Sequence, residues 1–254
     1  MTHTGASDQR VSALIRHRQN HFPWFLLATL LPILLMPFTN LDGNVFERAC
    51  LPLVSVNLVV QSLQIMPRRS KRLALFGGWL PYRLLGYYTA IGVWIPYLIG
   101  HQRSSALATL IVLGFVAFYG LTAVRIIQIL ARVEGVNGRT LCLGCAGYIH
   151  LGLTAGLVAT LLQLINPSNF SLGTMLPGSE LVERLTYFSF VTLASIGYGD
   201  VLPKTPAAEF FAVCLSITGT LYVSLMIGLL LSRYINDQSP RIAESASGES
   251  SPDR

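Results

Sequence analysis

Charge is scarce in this sequence. Only 12% of its 254 residues are Asp, Glu, Lys or Arg, while 52% are hydrophobic, and the mean hydropathy is +0.54. Soluble domains carry about 25% charged residues, so a soluble globular enzyme is excluded at the outset. Acids are scarcer than bases, 12 against 18, for a formal charge of +6. That excess comes from missing acids in an apolar chain, which speaks for membrane orientation rather than a nucleic-acid face. Cysteine is limited to Cys50, Cys142, Cys145 and Cys214, and no disulfide framework is implied. A phosphate-cradling loop and a zinc-binding helix are also lacking. His3, His17, His21, His101 and His150 form no ligand or triad spacing. No fixed-period repeat is present. No small-residue cleavage site follows the first apolar run, so a removed signal peptide is not expected.

What is present is a series of charge-free runs, at 19–41, 49–67, 84–102, 104–124, 140–179 and 210–232. A membrane helix needs about 20 apolar residues. Trimming by hydropathy predicts helices over 22–40, 49–66, 80–100, 105–131, 140–165 and 208–234. Pro23, Pro32, Pro37, Pro52, Pro81 and Pro96 fall in or near the first three, where neighbouring helices satisfy the freed carbonyls. Trp24, Trp79, Tyr82, Trp94 and Tyr97 lie near proposed span ends, suited to the membrane interface. The expected fold class is an all-α integral membrane protein with six transmembrane helices.

The loops set orientation. If the spans alternate, one side receives Arg10, Arg16, Arg18, Arg68, Arg69, Lys71, Arg72, Arg132, Arg139, Arg233, Arg241 and Arg254, and the other only Arg48, Arg103, Arg184 and Lys204. Both termini are therefore expected in the cytoplasm. Asp42, Glu47, Glu180, Glu183, Asp200 and Glu209 gather on the outer side. The chain divides into a cytoplasmic segment 1–21, a four-helix membrane domain 22–139, a C-terminal membrane domain 140–235, and a Ser-rich tail 236–254 that reads as disordered.

One charge-poor run is too short to cross. Residues 185–199 lie between Arg184 and Asp200. Fifteen helical residues rise about 22 Å, short of a core about 30 Å thick. A re-entrant segment between the fifth and sixth helices fits better, and non-helical backbone survives at that depth only where protein or water meets it. A helix over 180–194, with Ser179 as N-cap and Glu180 and Glu183 near its positive end, would aim a negative C-terminal end at a cation. Gly197 and Gly199 then alternate with Ile196 and Tyr198. Glycine permits positive φ, so successive carbonyls can turn toward one axis and replace a cation's hydration shell.

Ser195-Ile196-Gly197-Tyr198-Gly199, followed by Asp200, resembles the threonine-valine-glycine-tyrosine-glycine signature of the potassium channel family. Ser in place of Thr is the departure: it keeps the hydroxyl and drops the methyl. The resemblance implies an ion-binding selectivity filter at Ser195, Ile196, Gly197, Tyr198 and Gly199, with K+ held at the first four and Ser195 lining the innermost site. It implies filter support from Tyr187, Phe188, Thr192 and Asp200, and a gating hinge at Gly219, twenty residues past Gly199. Thr205-Pro206 reads as N-cap and first turn of the sixth helix. The likeness covers about 140–235: outer helix, pore helix, filter and inner helix. Family pores use four loops and this chain has one, so a homotetramer is implied.

Six helices with a C-terminal pore invite a voltage-gated reading. A voltage-sensing helix carries several Arg at every third position, whereas the fourth helix has only Arg125 and Arg132, and residues 48–133 contain no Asp or Glu to pair with them. Arg125 is expected to snorkel to the inner edge, and Arg83 likewise. Cys142 and Cys145 read as small buried residues, with His150 the only nearby third ligand for a metal. Gly152-Leu-Thr-Ala-Gly156 is a small-xxx-small pattern for close packing on the sixth helix or another neighbour. Asn169-Phe-Ser171 is a glycosylation sequon, and the basic set 68–72 reads as a loop near anionic lipid.

The expected function is passive, potassium-selective conduction through a tetrameric pore in the cell membrane, without strong voltage gating, without enzymatic activity and without a cofactor beyond the transported K+. Membrane lipid is the expected partner, nucleic acid is not, and a gating partner is left open. The alternatives are a weakly voltage-sensitive potassium channel and a nonconducting subunit. An uptake-type transporter is a poorer fit, because such proteins carry four loops in one chain.

Overall fold

A computed structural model describes residues 19–35, 55–64, 79–95, 105–132, 138–172 and 178–248. After one 3-10 turn at Gln19–His21 come α1 (Phe22–Leu35), α2 (55–64), α3 (Trp79–Gly92), α4 (Ser105–Arg132), α5 (Gly138–Ile165), β1 (Phe170–Ser171), α6 (Gly178–Leu193), β2 (Leu202–Pro203) and α7 (Pro206–Gly248). Proline marks several starts: Pro23, Pro81 and Pro206 all lie in a first turn, where a missing N–H costs nothing. Thr205 caps α7, accepting the Ala208 N–H at its Oγ1 and the Glu209 N–H at its carbonyl.

Among the described residues, three helices are long and apolar enough to cross a membrane: Ala106–Ala131, Gly138–Ile165 and Pro206–Leu229. These coincide with the fourth, fifth and sixth expected spans. Of the first three, only the stretches 22–35, 55–64 and 79–95 lie within the described residues. The remainder of those spans, Cys50 and the basic set 68–72 lie outside them. At the other end α7 continues through 236–248, where composition pointed to a disordered tail. A helix already under way gains one hydrogen bond per added residue without a second nucleation.

Helix α5 is the hub, touching α1, α4, α6 and α7. One apolar core joins Phe22 and Phe25 of α1, Leu58 of α2, Tyr82 of α3, Phe118 of α4 and Leu143 of α5. A second, around Phe170, Leu185 and Phe188, seats α6 against α5, the antiparallel pair of β1 and β2, and α7. Buried hydroxyls within these helices satisfy themselves on their own backbone, as Thr122 does on the Phe118 carbonyl, Thr154 on His150 and Ser189 on Leu185.

Small residues let the helices close. A Cβ on Gly152 would strike the Phe190 ring, and one on Gly156 would lie 2.8 Å from the Thr186 Cα. The neighbour of this small-xxx-small pair is therefore α6, not the sixth span. That span, α7, instead fills the spaces over Gly144 and Gly147 with Met226 and Tyr222, and the Tyr222 hydroxyl donates to the Gly144 carbonyl at 2.7 Å. His150 is buried, stacked on Tyr119 at 5.0 Å and hydrogen-bonded to the Tyr119 carbonyl. It faces α4, and among the described residues no three His, Cys, Asp or Glu side chains come together as metal ligands. Arg125 is only 8% exposed. Its guanidinium sits 4.0 Å over the ring of Tyr82 in the first turn of α3, and Tyr82 bonds in turn to Thr122 at 2.9 Å. A face-on ring stabilises a cation by about 0.5–2 kcal/mol.

Candidate ion-binding segment

Helix α6 has 16 residues, a rise of about 24 Å at 1.5 Å each. It starts near the expected position and ends at Leu193 with a defined cap. The Ser195 N–H donates to the Thr192 carbonyl at 3.0 Å, and the Ile196 N–H to the Val191 carbonyl at 2.9 Å. This pair of bonds is a Schellman motif with Ser195 at C′, a position that takes a left-handed residue and usually glycine. Ser195 has φ 58°. A non-glycine residue there is held at a cost of order 1–3 kcal/mol, and such residues gather at functional sites. Serine is less disfavoured in this region than a β-branched threonine, which gives the Ser-for-Thr departure a conformational rationale.

The alternation then continues. Gly197 has φ 60° and Gly199 φ 78°, while Ile196 and Tyr198 are not among the positive-φ residues. The sign of φ thus reverses at every step from 195 to 199. Peptides between residues of alternating handedness turn their carbonyls to a common side, the arrangement a dehydrated cation needs. Nothing lies within 4 Å of where a Cβ would stand on Gly197 or Gly199. Their requirement is conformational, not steric crowding. Tyr198 is 69% exposed.

Several elements pack around this segment. Asp200 lies 3.1 Å from the Arg184 guanidinium of α6, and Tyr187 lies against both, beneath Arg184 at 5.4 Å and beside the Asp200 carboxylate. Phe188 is buried and takes Phe170 of β1 edge-on at 5.2 Å. Thr192 contributes the carbonyl that caps Ser195. Gly219 is buried in close approach to α6: a Cβ there would collide with the Leu193 carbonyl. The Tyr148 hydroxyl reaches the same carbonyl at 3.4 Å.

Behind the segment is a polar brace. Asn169 is 4% exposed; its Nδ2 donates to the Leu162 carbonyl at 2.6 Å, and its Oδ1 accepts from the Thr205 hydroxyl. Gln163 spans Pro167 and the Phe170 N–H. The sequon asparagine is therefore an internal tie, with its amide nitrogen already engaged. Sequence alone does not mark Arg184, Tyr148 or Asn169 as residues of this segment's surroundings. Only Arg184 had a readable signal, a base three residues before Tyr187 at the edge of the charge-poor run.

A family model described as "Ion channel" matches residues 158–236. Among curated relatives, two pore potassium channel c of Oryza sativa subsp. japonica is 37% identical over 71 residues, 28% of this chain and 15% of that protein. Two-pore potassium channel 4 of Arabidopsis thaliana is 29% identical over 58 residues, covering 23% of this chain and 20% of the relative. The A-type voltage-gated potassium channel KCND3 of Rattus norvegicus is 28% identical over 96 residues, 37% and 14% of the two chains. The chain thus spans no more than a fifth of the length of these relatives.

Proposed function

We propose that this chain, which matches an ion-channel family model over residues 158–236 and is similar to curated potassium channels, and so stands among channels rather than enzymes, conducts K+ passively and selectively across a cell membrane. The observation that carries the reading is the alternating φ sign over Ser195–Gly199 at the capped end of a short helix. In this reading K+ binds the backbone oxygens of Ser195, Ile196, Gly197 and Tyr198 and is the only cofactor-like species. Helix α6 enters and leaves one face of the membrane, since it is too short to cross. One segment per chain cannot close a ring, so four copies assemble around it. The exposed Tyr198 and the uncovered apolar side chains Val213, Ile217 and Leu221 of α7 support that assembly. Six spans place both termini in the cytoplasm, with lipid around the outer helices. Tyr187, Phe188, Thr192 and Asp200 support the filter, and Gly219 serves the inner helix as a gating hinge. Gating is not strongly voltage-dependent.

The test is purified full-length protein in lipid vesicles. Wild type is expected to pass K+ in strong preference to Na+, and Tyr198→Ala to abolish the preference. Equal permeability of the wild type to both ions overturns the reading.

A further inference from the structure

The Oγ atoms of Ser195 and Ser216 lie 3.4 Å apart, joining the end of α6 to α7 across 21 residues of sequence. Two contacts bring them together. Gly219 admits the Leu193 carbonyl against the α7 backbone, and Leu215 is buried against Leu193 and Ala155. Ser216 stands three residues before Gly219, on the same helix face, so this approach carries its hydroxyl to Ser195. The neighbouring hydroxyls of α7 turn back onto their own helix: Thr218 donates to the Cys214 carbonyl, Thr220 to Ser216 and Ser224 to Thr220. Ser216 is the one among these whose hydroxyl pairs across to α6.

Ser195 has something to gain from that pairing. Its backbone is set by the Schellman cap, but a single γ atom leaves three staggered wells open at χ1. A threonine would be fixed by its second γ atom. We infer that Ser216 is a positioning residue for the inner end of the ion path. Its hydroxyl selects one rotamer of Ser195 and so fixes where the Ser195 oxygen meets a dehydrated monovalent cation. The inference rests on the channel reading of 195–199.

Block by Ba2+ tests it, because this ion is close to K+ in size and its double charge makes it sensitive to oxygen placement. Ser216→Ala, recorded as full-length protein in planar bilayers with Ba2+ applied from each side in turn, is expected to keep K+ current. Its Ba2+ affinity should weaken about two- to tenfold, the worth of one hydrogen bond. In a Ser195→Ala background the same substitution is expected to change nothing further, since its target oxygen is gone. Ser195→Thr, the family residue, is a second background in which it should be silent. Unchanged block in Ser216→Ala overturns the inference, as does an equal loss in all three backgrounds, which a merely structural effect of Ser216 would produce. A wild type without K+ current overturns the channel reading and this inference with it.

Discussion

Asn169 joins three parts of the chain at one point: its side-chain amide ties the last turn of α5 through Leu162 and the cap of α7 through Thr205, and its backbone carbonyl accepts the N–H of Lys204, the residue after β2, at 2.8 Å. Asn169→Ala leaves the Leu162 carbonyl and the Thr205 hydroxyl without this partner in a buried place. The expected cost is about 1–3 kcal/mol of stability, read as a lowered Tm of the detergent-solubilised protein. Ser168→Ala is the comparison, since only its backbone N–H is engaged there, with the Asn166 side chain, and it should leave Tm near wild type. The pair Arg184 and Asp200 is different in kind. Both side chains are about two-fifths exposed, so the ion pair contributes little to stability. Its geometric role is to hold the residue that follows Gly199.

At the scale of elements, the glycines of α5 separate packing from propensity. A methyl on Gly156 meets backbone at Thr186, which cannot yield as a side-chain tip would. Gly156→Ala is expected to destabilise by about 1–3 kcal/mol through overpacking. Gly120→Ala in α4 meets nothing within 4 Å and is expected to be neutral or to stabilise by up to about 1 kcal/mol through helix propensity. Thermal unfolding of the two variants side by side checks both signs, and a Gly156→Ala protein as stable as wild type would contradict the packing described. The same elements show what a linear reading reaches. The short helix before Asp200, the glycine alternation and the Thr205-Pro206 start were legible because each follows from neighbours in sequence: a charge gap, a φ requirement, a cap. The C′ role of Ser195 was not, because that position usually advertises itself with glycine. Nor could spacing tell that Gly152 and Gly156 receive α6, that Arg125 lies on Tyr82, or that the Asn169 amide is consumed internally. Those depend on which distant side chain arrives, and periodicity carries no such address.

For the molecule as a whole, the electrical behaviour follows from how Arg125 is held. An elementary charge crossing the full field gains about 2.3 kcal/mol per 100 mV, so in the proposed tetramer four moving copies would make opening steep. Arg125 is instead enclosed by Tyr82, itself bonded to Thr122, an arrangement that ties α3 to α4 and resists sliding. Current recorded over a 100 mV series is therefore expected to vary in open probability by less than about threefold, far below what such a charge movement would impose. A steep sigmoid would show that α4 moves.

Helix α5 also carries a timing constraint. Along one rod, Gly144 and Gly147 admit α7, His150 turns to α4, and Gly152 and Gly156 admit α6. Each residue added to or removed from a helix rotates everything beyond it by about 100°. One inserted residue between Gly147 and Gly152 would leave both notches intact and yet point them at the wrong neighbours. The number of residues between the notches is thus as much a part of the molecule as their identity, and α5 works as a keyed shaft whose slots are cut at fixed phase.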